Sequence, residues 1–404
     1  MLIVAVTVLV LALLPFAYYI LSFCCVIAHF RSVRKASAEE SPFMPPASIV
    51  KPVRGLDHEA YENFASFCQL DYPEYEVLFA VSEADDQVCA VIEKLRVDFP
   101  ACPIRLITNV PRLGTSDKVN NLCVLVRNAK HDLLVMSDSD VRVEPDYLKQ
   151  VIAPFADPNV GAVTAFYRSL SAGNLASNLD ALGMYMDSAP SALVAKKIEG
   201  NMQFAFGWTM ATSKGHLAEI GGWEEMANYH SDDFELGKRI AESGHRIEFM
   251  TKPITMIFPR ETLAEHFRHE LRWSIGLRSV RPLGYWGLTF THGLPWALVG
   301  AAAALSIGSM PMAVSYLVAY LILRIGLTWT TGRWGIGDRQ LGRILWLVPV
   351  RDAISFVIWL AGFCSDKITW RGLAYHVRSG QLIPIPTPSR RPAPRPETIS
   401  PVAN

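Results

Sequence analysis

Seven cysteines are scattered through 404 residues with no Cys-x-x-Cys pair and no metal-like spacing, so no zinc site is indicated. Free thiols fit a reducing compartment, and two of them, Cys24 and Cys25, sit inside an apolar run. No Gly-x-Gly-x-x-Gly follows a strand-like segment, which removes the fingerprint of a dinucleotide dehydrogenase, and no Gly-x-x-x-x-Gly-Lys occurs, which argues against a P-loop. Net charge of one sign is also missing. The formal sum is zero, so bulk electrostatics offer no argument for nucleic acid, and none is expected as a partner. The apolar run Met1–Ala28 lacks a positively charged leader and a small-residue cleavage site, which makes it an uncleaved anchor rather than a signal peptide.

What is present is apolar surface. Half of the residues are hydrophobic and 19% are charged, too apolar for an ordinary soluble enzyme and too charged for an all-membrane protein. The length leaves room for one soluble domain and a few spans. About 20 apolar residues cross the hydrocarbon core, and Met1–Ala28 meets that need. Three further stretches near Leu288–Gly308, Met310–Thr330 and Ile344–Phe363 are candidates. Basic residues cluster beside them, as at a membrane edge: Arg31, Arg34 and Lys35, then Arg268, Arg272, Arg278 and Arg281. The first cluster predicts a cytoplasmic face for the domain on its C-terminal side. Arg351 and Asp352 are costly at mid-bilayer, so the last stretch is expected to be re-entrant or interfacial. The resulting division is an anchor over 1–28, a cytoplasmic domain over 45–285, membrane segments over 286–365 and a disordered Pro-rich tail over 384–404.

Within 45–285, short apolar runs alternate with helical patterns: strands at Ala47–Lys51, Tyr75–Val81, Ile104–Thr108, Leu133–Ser137 and Val160–Phe166, with helices between. That alternation predicts an α/β fold with a mainly parallel central sheet covered by helices. Such sheets bind ligands beyond the carboxyl ends of their strands. Polar residues gather there: Lys51 after the first strand, Glu83, Asp85 and Asp86 after the second, Asp138 and Asp140 after the fourth.

Asp138-Ser-Asp140 places two carboxylates on one side of a chain leaving a strand. Mg²⁺ takes one or two carboxylates together with phosphate oxygens, although acidic turns after strands are common. Glu83, Asp85 and Asp86 can accept hydrogen bonds from a nucleoside or cap the following helix. Lys118 opens a helix, where it is poor for the helix dipole but suited to phosphate; a plain surface lysine is the alternative. Asp232 and Asp233 precede an amphipathic helix. One of them can cap it, and the other is free to act as a general base. Arg272 can pair with diphosphate oxygens, and Trp273 can pack on a sugar or lie at the membrane interface. His266 and His269 have helical spacing for a metal, but no third ligand is evident.

As a set, Val50-Lys-Pro-Val-Arg-Gly-Leu-Asp57, Leu70–Leu78, Lys118–Leu122, Ser137–Val143, Ser231–Phe234, Arg272-Trp273 and Ile368–Arg371 resemble the ceramide glucosyltransferase family, membrane-bound GT-A glycosyltransferases acting on sphingolipids. The resemblance runs from Met1 to about Leu382. It implies that Asp86 and Lys118 hold UDP, that Asp138 and Asp140 engage Mg or Mn and the diphosphate, and that Asp233 is the base. Arg272 and Trp273 complete the family's last motif, whose leading Gln or Arg is His269 here; the change weighs against polymer synthesis. The implied reaction moves glucose from a UDP-sugar to a hydroxyl of ceramide. A bacterial relative of this pattern transfers N-acetylglucosamine to a hopanoid lipid, and no residue separates the two acceptors. A processive polysaccharide synthase would need a channel. A polyprenyl-phosphate transferase would need no base such as Asp233. The segment Ser171–Phe206, amphipathic and without a sugar-nucleotide motif, is expected on the acceptor side.

Overall fold

Residues 2–36, 42–370 and 372–386 are described by the structure, a computed structural model of the chain. All but the first few residues of the expected Pro-rich tail lie outside the described residues. The strands are β1 (Ala47–Val53), β2 (Tyr75–Val81), β3 (Ile104–Thr108), β4 (Leu133–Ser137), β5 (Val141–Arg142), β6 (Val160–Thr164), β7 (Tyr167–Ser171), β8 (Thr209–Ser213), β9 (Arg246–Phe249), β10 (Ile254–Phe258), β11 (Lys367–Trp370), β12 (Leu373–Arg378) and β13 (Gln381–Pro384).

Seven of them form the central sheet, in the order β3-β2-β1-β4-β8-β6-β9. β1 pairs in parallel with β2 and β4, β2 with β3, and β6 with β9; β8 runs antiparallel to both β4 and β6. The sheet is therefore mainly parallel. β4 is buried along its whole length and β1 at all positions but one, as a strand covered on both faces requires. The cover over β1 and β2 includes helix Ala60–Phe67, whose Phe64 ring lies 5.1 Å from Phe79. Burying each such side chain contributes roughly 1.5–3 kcal/mol.

Parallel pairing brings the carboxyl ends of β1, β2 and β4 to one edge. The loops leaving that edge carry Asp57, Asp86 and Asp138–Asp140. Helix Asp117–Asn128 begins at the same edge, capped by Ser116, whose Oγ accepts from the Val119 N–H. A smaller sheet, β5-β10-β7, adjoins it; the Ile257 N–H donates to the Asp140 carbonyl at 3.0 Å and holds the acidic loop from its far side.

Among the described residues, three helical stretches are long and apolar enough to cross a membrane: Leu2–Lys35, Met310–Ile336 and Leu345–Gly362. A fourth crossing is available from Pro282–Phe290 with Gly293–Ser306, bent by 45°. Their outer faces present apolar side chains such as Ile3, Ile322 and Leu360. Their inner faces interlock: the Tyr19 hydroxyl donates to the Thr291 carbonyl at 2.9 Å, and the Tyr316 hydroxyl to the Leu9 carbonyl at 2.6 Å. Arg351 and Asp352 are both buried and turned inward. Length and composition admit a span over Leu345–Gly362, because its charges do not face lipid.

One element was not expected from the sequence. β11, β12 and β13 form an antiparallel sheet that folds back onto the main domain. The Leu382 N–H donates to the Asn228 carbonyl at 2.7 Å, and the His230 N–H to the Gly380 carbonyl at 2.8 Å. Ile368, Tyr375, Val377 and Leu382 pack on Ile275 of helix Leu263–Val280.

Candidate active site

A cavity of about 800 Å³ opens at the carboxyl edge of the sheet and continues between the membrane helices. Asp138, Asp140, Lys118, Asp232, Asp233, Arg272 and Trp273 all line it. Residues from four distant stretches of the chain therefore meet in one space.

Lys118 is the electrostatic centre. Its Nζ lies 3.0 Å from Asp138 Oδ1 and 3.3 Å from Asp232 Oδ2. Burial alone lowers a lysine pKa. Here Asp138, Asp232 and Asp233 outweigh it and hold the ammonium well above its usual range. Asp233 is positioned by backbone donors: Gly207 N–H reaches Oδ2 at 2.9 Å and Phe234 N–H reaches Oδ1 at 2.8 Å. Burial and the neighbouring Asp232 push its pKa up to about 6, against the opposing pull of Lys118 and the two amides. The helix Asp232–Glu242 takes Ser231 as its N-cap, with no side-chain cap bond. Neither acid is the capping residue; Asp232 is buried against Lys118, and burial raises its pKa.

Asp140 lies half-buried, and its Oδ1 is enclosed without a partner among the described residues. Burial, Asp138 and Asp57 push it up to about 7. Asp138 keeps its carboxylate in the cavity while its carbonyl accepts from Lys51 Nζ at 2.9 Å. Two adjacent carboxylates, one holding an unpartnered oxygen, are a donor set that fits a hard divalent cation.

Lys51 does not reach the cavity. It is fully buried beneath the acidic loop, 3.7 Å from the Phe67 ring centre, and burial lowers its pKa to about 7. Glu83 and Asp85 are exposed, and neither they nor Asp86 line the cavity. Asp86 ties two segments together, accepting from Gly55 N–H at 2.7 Å and from Val88 N–H at 3.0 Å. The second bond falls at the start of helix Val88–Asp98.

Arg272 stands between two indoles, 5.9 Å from the Trp273 ring and 5.8 Å from Trp370 on β11. Trp273 is 40% exposed. The His269 ring lies 4.4 Å from Trp273 and tilted by 47° to it, and burial followed by Arg272 lowers its pKa to about 4, so it is neutral at physiological pH.

Sequence reasoning missed two groups. His266 Nδ1 lies 2.7 Å from Asp180 Oδ1, and Glu261 completes a cluster whose ligating atoms lie within 4.8 Å of one another. His269 is not part of it. The second group joins helices: Arg324 pairs with Asp352 at 2.6 Å and Asp187 at 2.7 Å, and Arg351 pairs with Glu270 at 3.0 Å. An arginine inside an apolar helical run was the available signal. Asp180, Asp187 and Phe204–Phe206 bring the 171–206 segment to the cavity wall.

Comparison with known proteins points in the same direction. Ceramide glucosyltransferase 3 of Caenorhabditis elegans is 22% identical over 93% of this chain and 83% of its own length. The beta-monoglucosyldiacylglycerol synthase of Synechocystis sp. is 23% identical over 65% of this chain and 56% of its own length. Among solved structures, the mannosyltransferase PcManGT from Pyrobaculum calidifontis superposes with a TM-score of 0.53 and 19% identity, covering 87% of this chain and 99% of that one; it shares the GT-A fold. Residues 7–383 match the family described as Glycosyl transferase family 21, and the chain, a hexosyltransferase, belongs to that family.

Proposed function

We propose that the chain transfers glucose from UDP-glucose to a hydroxyl of a membrane lipid such as ceramide, with inversion at the anomeric carbon. The observation that carries this reading is the single cavity joining the Asp138/Asp140 pair, the Asp233 carboxylate and the membrane helices. The names of the relatives, a ceramide glucosyltransferase and a glucosyldiacylglycerol synthase, support a lipid acceptor. The mannosyltransferase with the related fold was solved with GDP-Man and Mn²⁺, which supports a nucleotide-sugar donor.

Asp138 and Asp140 would hold Mg²⁺ or Mn²⁺, which when bound offsets charge on the donor diphosphate. Lys118 keeps a permanent positive charge among three carboxylates and offers it to the diphosphate. Arg272, oriented by two indoles, supplies a second cation. Trp273 offers an apolar face to the sugar. Asp233 accepts the proton of the acceptor hydroxyl. The freed oxygen bonds to the sugar C1 as the C1–O bond to the diphosphate breaks, and UDP leaves with the bonding pair. A base with a pKa of about 6 is ionised at neutral pH, and two backbone amides fix its direction.

Arg31, Arg34 and Lys35 come after the first apolar helix and support a cytoplasmic catalytic face. The reading is tested by mass spectrometry of lipids after incubating membranes containing the protein with UDP-glucose or UDP-N-acetylglucosamine and candidate lipids. A hexose-bearing lipid is expected with UDP-glucose, and its absence with every lipid overturns the reading. Asp233→Asn should lower transfer by roughly 10²–10⁴-fold, the usual range for a general base, and leave UDP binding by calorimetry nearly intact.

A further inference from the structure

The cavity does not end at the acidic residues. Its far half is walled by His292, just before helix Gly293–Ser306, by helix Val348–Gly362 and by the π-helical turn Met184–Ser188. There, three polar side chains line the space with atoms that have no partner among the described residues: Arg351 Nε and Nη1, Ser355 Oγ and His292 Nε2. Arg351 is only 3% exposed. Arg351 and Ser355 are four residues apart on one helix and so share a face. His292 approaches that helix, its ring 5.5 Å from both Phe356 and Trp359. Only Nη2 of Arg351 is engaged, by Glu270 at 3.0 Å and more distantly by Asp187 at 3.7 Å.

Guanidinium N–H groups enclosed without acceptors carry an uncompensated desolvation penalty. Arginine carries five N–H donors, and those on Nε and Nη1 remain for a ligand. We propose that Arg351, Ser355 and His292 form a recognition site for the polar head of an uncharged lipid, one that presents a carbonyl or ether oxygen to Arg351 and a hydroxyl to Ser355 and His292. The charge balance selects against an anionic head. Two guanidinium groups, Arg324 and Arg351, already face three carboxylates, Asp187, Glu270 and Asp352. A phosphate would add negative charge where it is already in excess. An amide or hydroxyl oxygen meets the N–H groups without that penalty. The flanking side chains of Trp359 and Ile358 give the chain next to the head an apolar wall. This deepens the proposed function by naming what the acceptor must carry, and it rests on that reading only for the identification of the lipid as acceptor.

Binding is the test, kept separate from transfer. Short-chain ceramide and its phosphorylated analogue are titrated into the full-length protein in detergent, with tryptophan fluorescence as the signal, since Trp359 lines the site. Two variants are compared with the parent. Arg351→Lys keeps the positive charge opposite Glu270 and Asp187 but removes the Nε and Nη1 donors. Ser355→Leu leaves every ion pair in place and fills the space. Each variant should weaken ceramide binding by about tenfold or more, the scale of one or two lost hydrogen bonds, with UDP affinity unchanged. The parent should bind the phosphorylated analogue more weakly than ceramide. Equal ceramide affinity in parent and both variants overturns the site. So does tighter binding of the phosphorylated lipid, or no ceramide binding by the parent. Intact binding without glucosyl transfer would instead sink the proposed reaction and leave the lipid site standing.

Discussion

Asp233 and Asp138 lie on the same lysine-centred network, yet they differ in surroundings. Asp138 has the Lys118 ammonium at 3.0 Å, whereas Asp233 is held by two amides and crowded by Asp232. Those surroundings suit Asp233 to exchange a proton. The groups facing Asp233 are Asp232, Lys118 and the amides of Gly207 and Phe234. Only its unprotonated form can accept the hydroxyl proton. Transfer at saturating donor should therefore rise with pH through a midpoint of about 6 and level off above it. Below the midpoint the rate should fall about tenfold per pH unit. A profile flat from about pH 5 to 7 would remove Asp233 from the proton step.

Helix Asp232–Glu242 carries Asp232 and Asp233 at its first turn, and its seat is set by a glycine. A Cβ on Gly237 would lie 2.4 Å from the Ala205 nitrogen and 2.4 Å from the Phe204 carbonyl carbon. Those are backbone atoms of the segment that delivers the Gly207 amide to Asp233, so they cannot swing aside. Gly237→Ala should cost about 1–3 kcal/mol of stability and lower turnover more than it lowers UDP affinity. Thermal melts with steady-state rates on the same preparation check both. The Arg324 junction is a second element-scale device, linking Met310–Trp329, Val348–Gly362 and the turn at Met184–Ser188. Arg324→Met strands Asp352 and Asp187 and should destabilise by about 3–5 kcal/mol, with much of the loss regained in Arg324→Met/Asp352→Leu. If the single and double variants melt alike, the junction is not held by this pair. These elements also show what was legible in the chain. Leu133–Ser137 was readable as a strand because a central strand must be apolar on both faces, and the acids after it were readable because such strands end at ligands. The Arg324 partners were not, since they come from separate helices with no periodic relation. β11 to β13 escaped notice because their folding back depends on distant groups such as the Asn228 carbonyl. Lys51 stood in the right place by register, yet its side chain turned beneath the loop rather than above it.

At the scale of the whole molecule, donor and lipid ends share one cavity, and its size limits what can leave. About 800 Å³ is within the range of a single small-ligand site. A nucleotide sugar and a lipid head are enough to fill it. A processive synthase must hold several sugars of a growing chain and pass them through the membrane. Among the described residues three helices, or four with the bent pair, are long and apolar enough to span, and their inner faces are tied together by tyrosine hydroxyls and buried ion pairs. His269 sits half-buried against Trp273 where the family pattern carries Gln or Arg. The enzyme should therefore stop after one sugar. Long incubation with excess UDP-glucose and reconstituted lipid should give a product heavier by one hexose, whose amount grows with time while its mass stays fixed. A ladder of heavier products that lengthens as incubation proceeds would mean that the glycosylated lipid re-enters as acceptor or that the chain is extruded, and either result would contradict a cavity sized for one transfer.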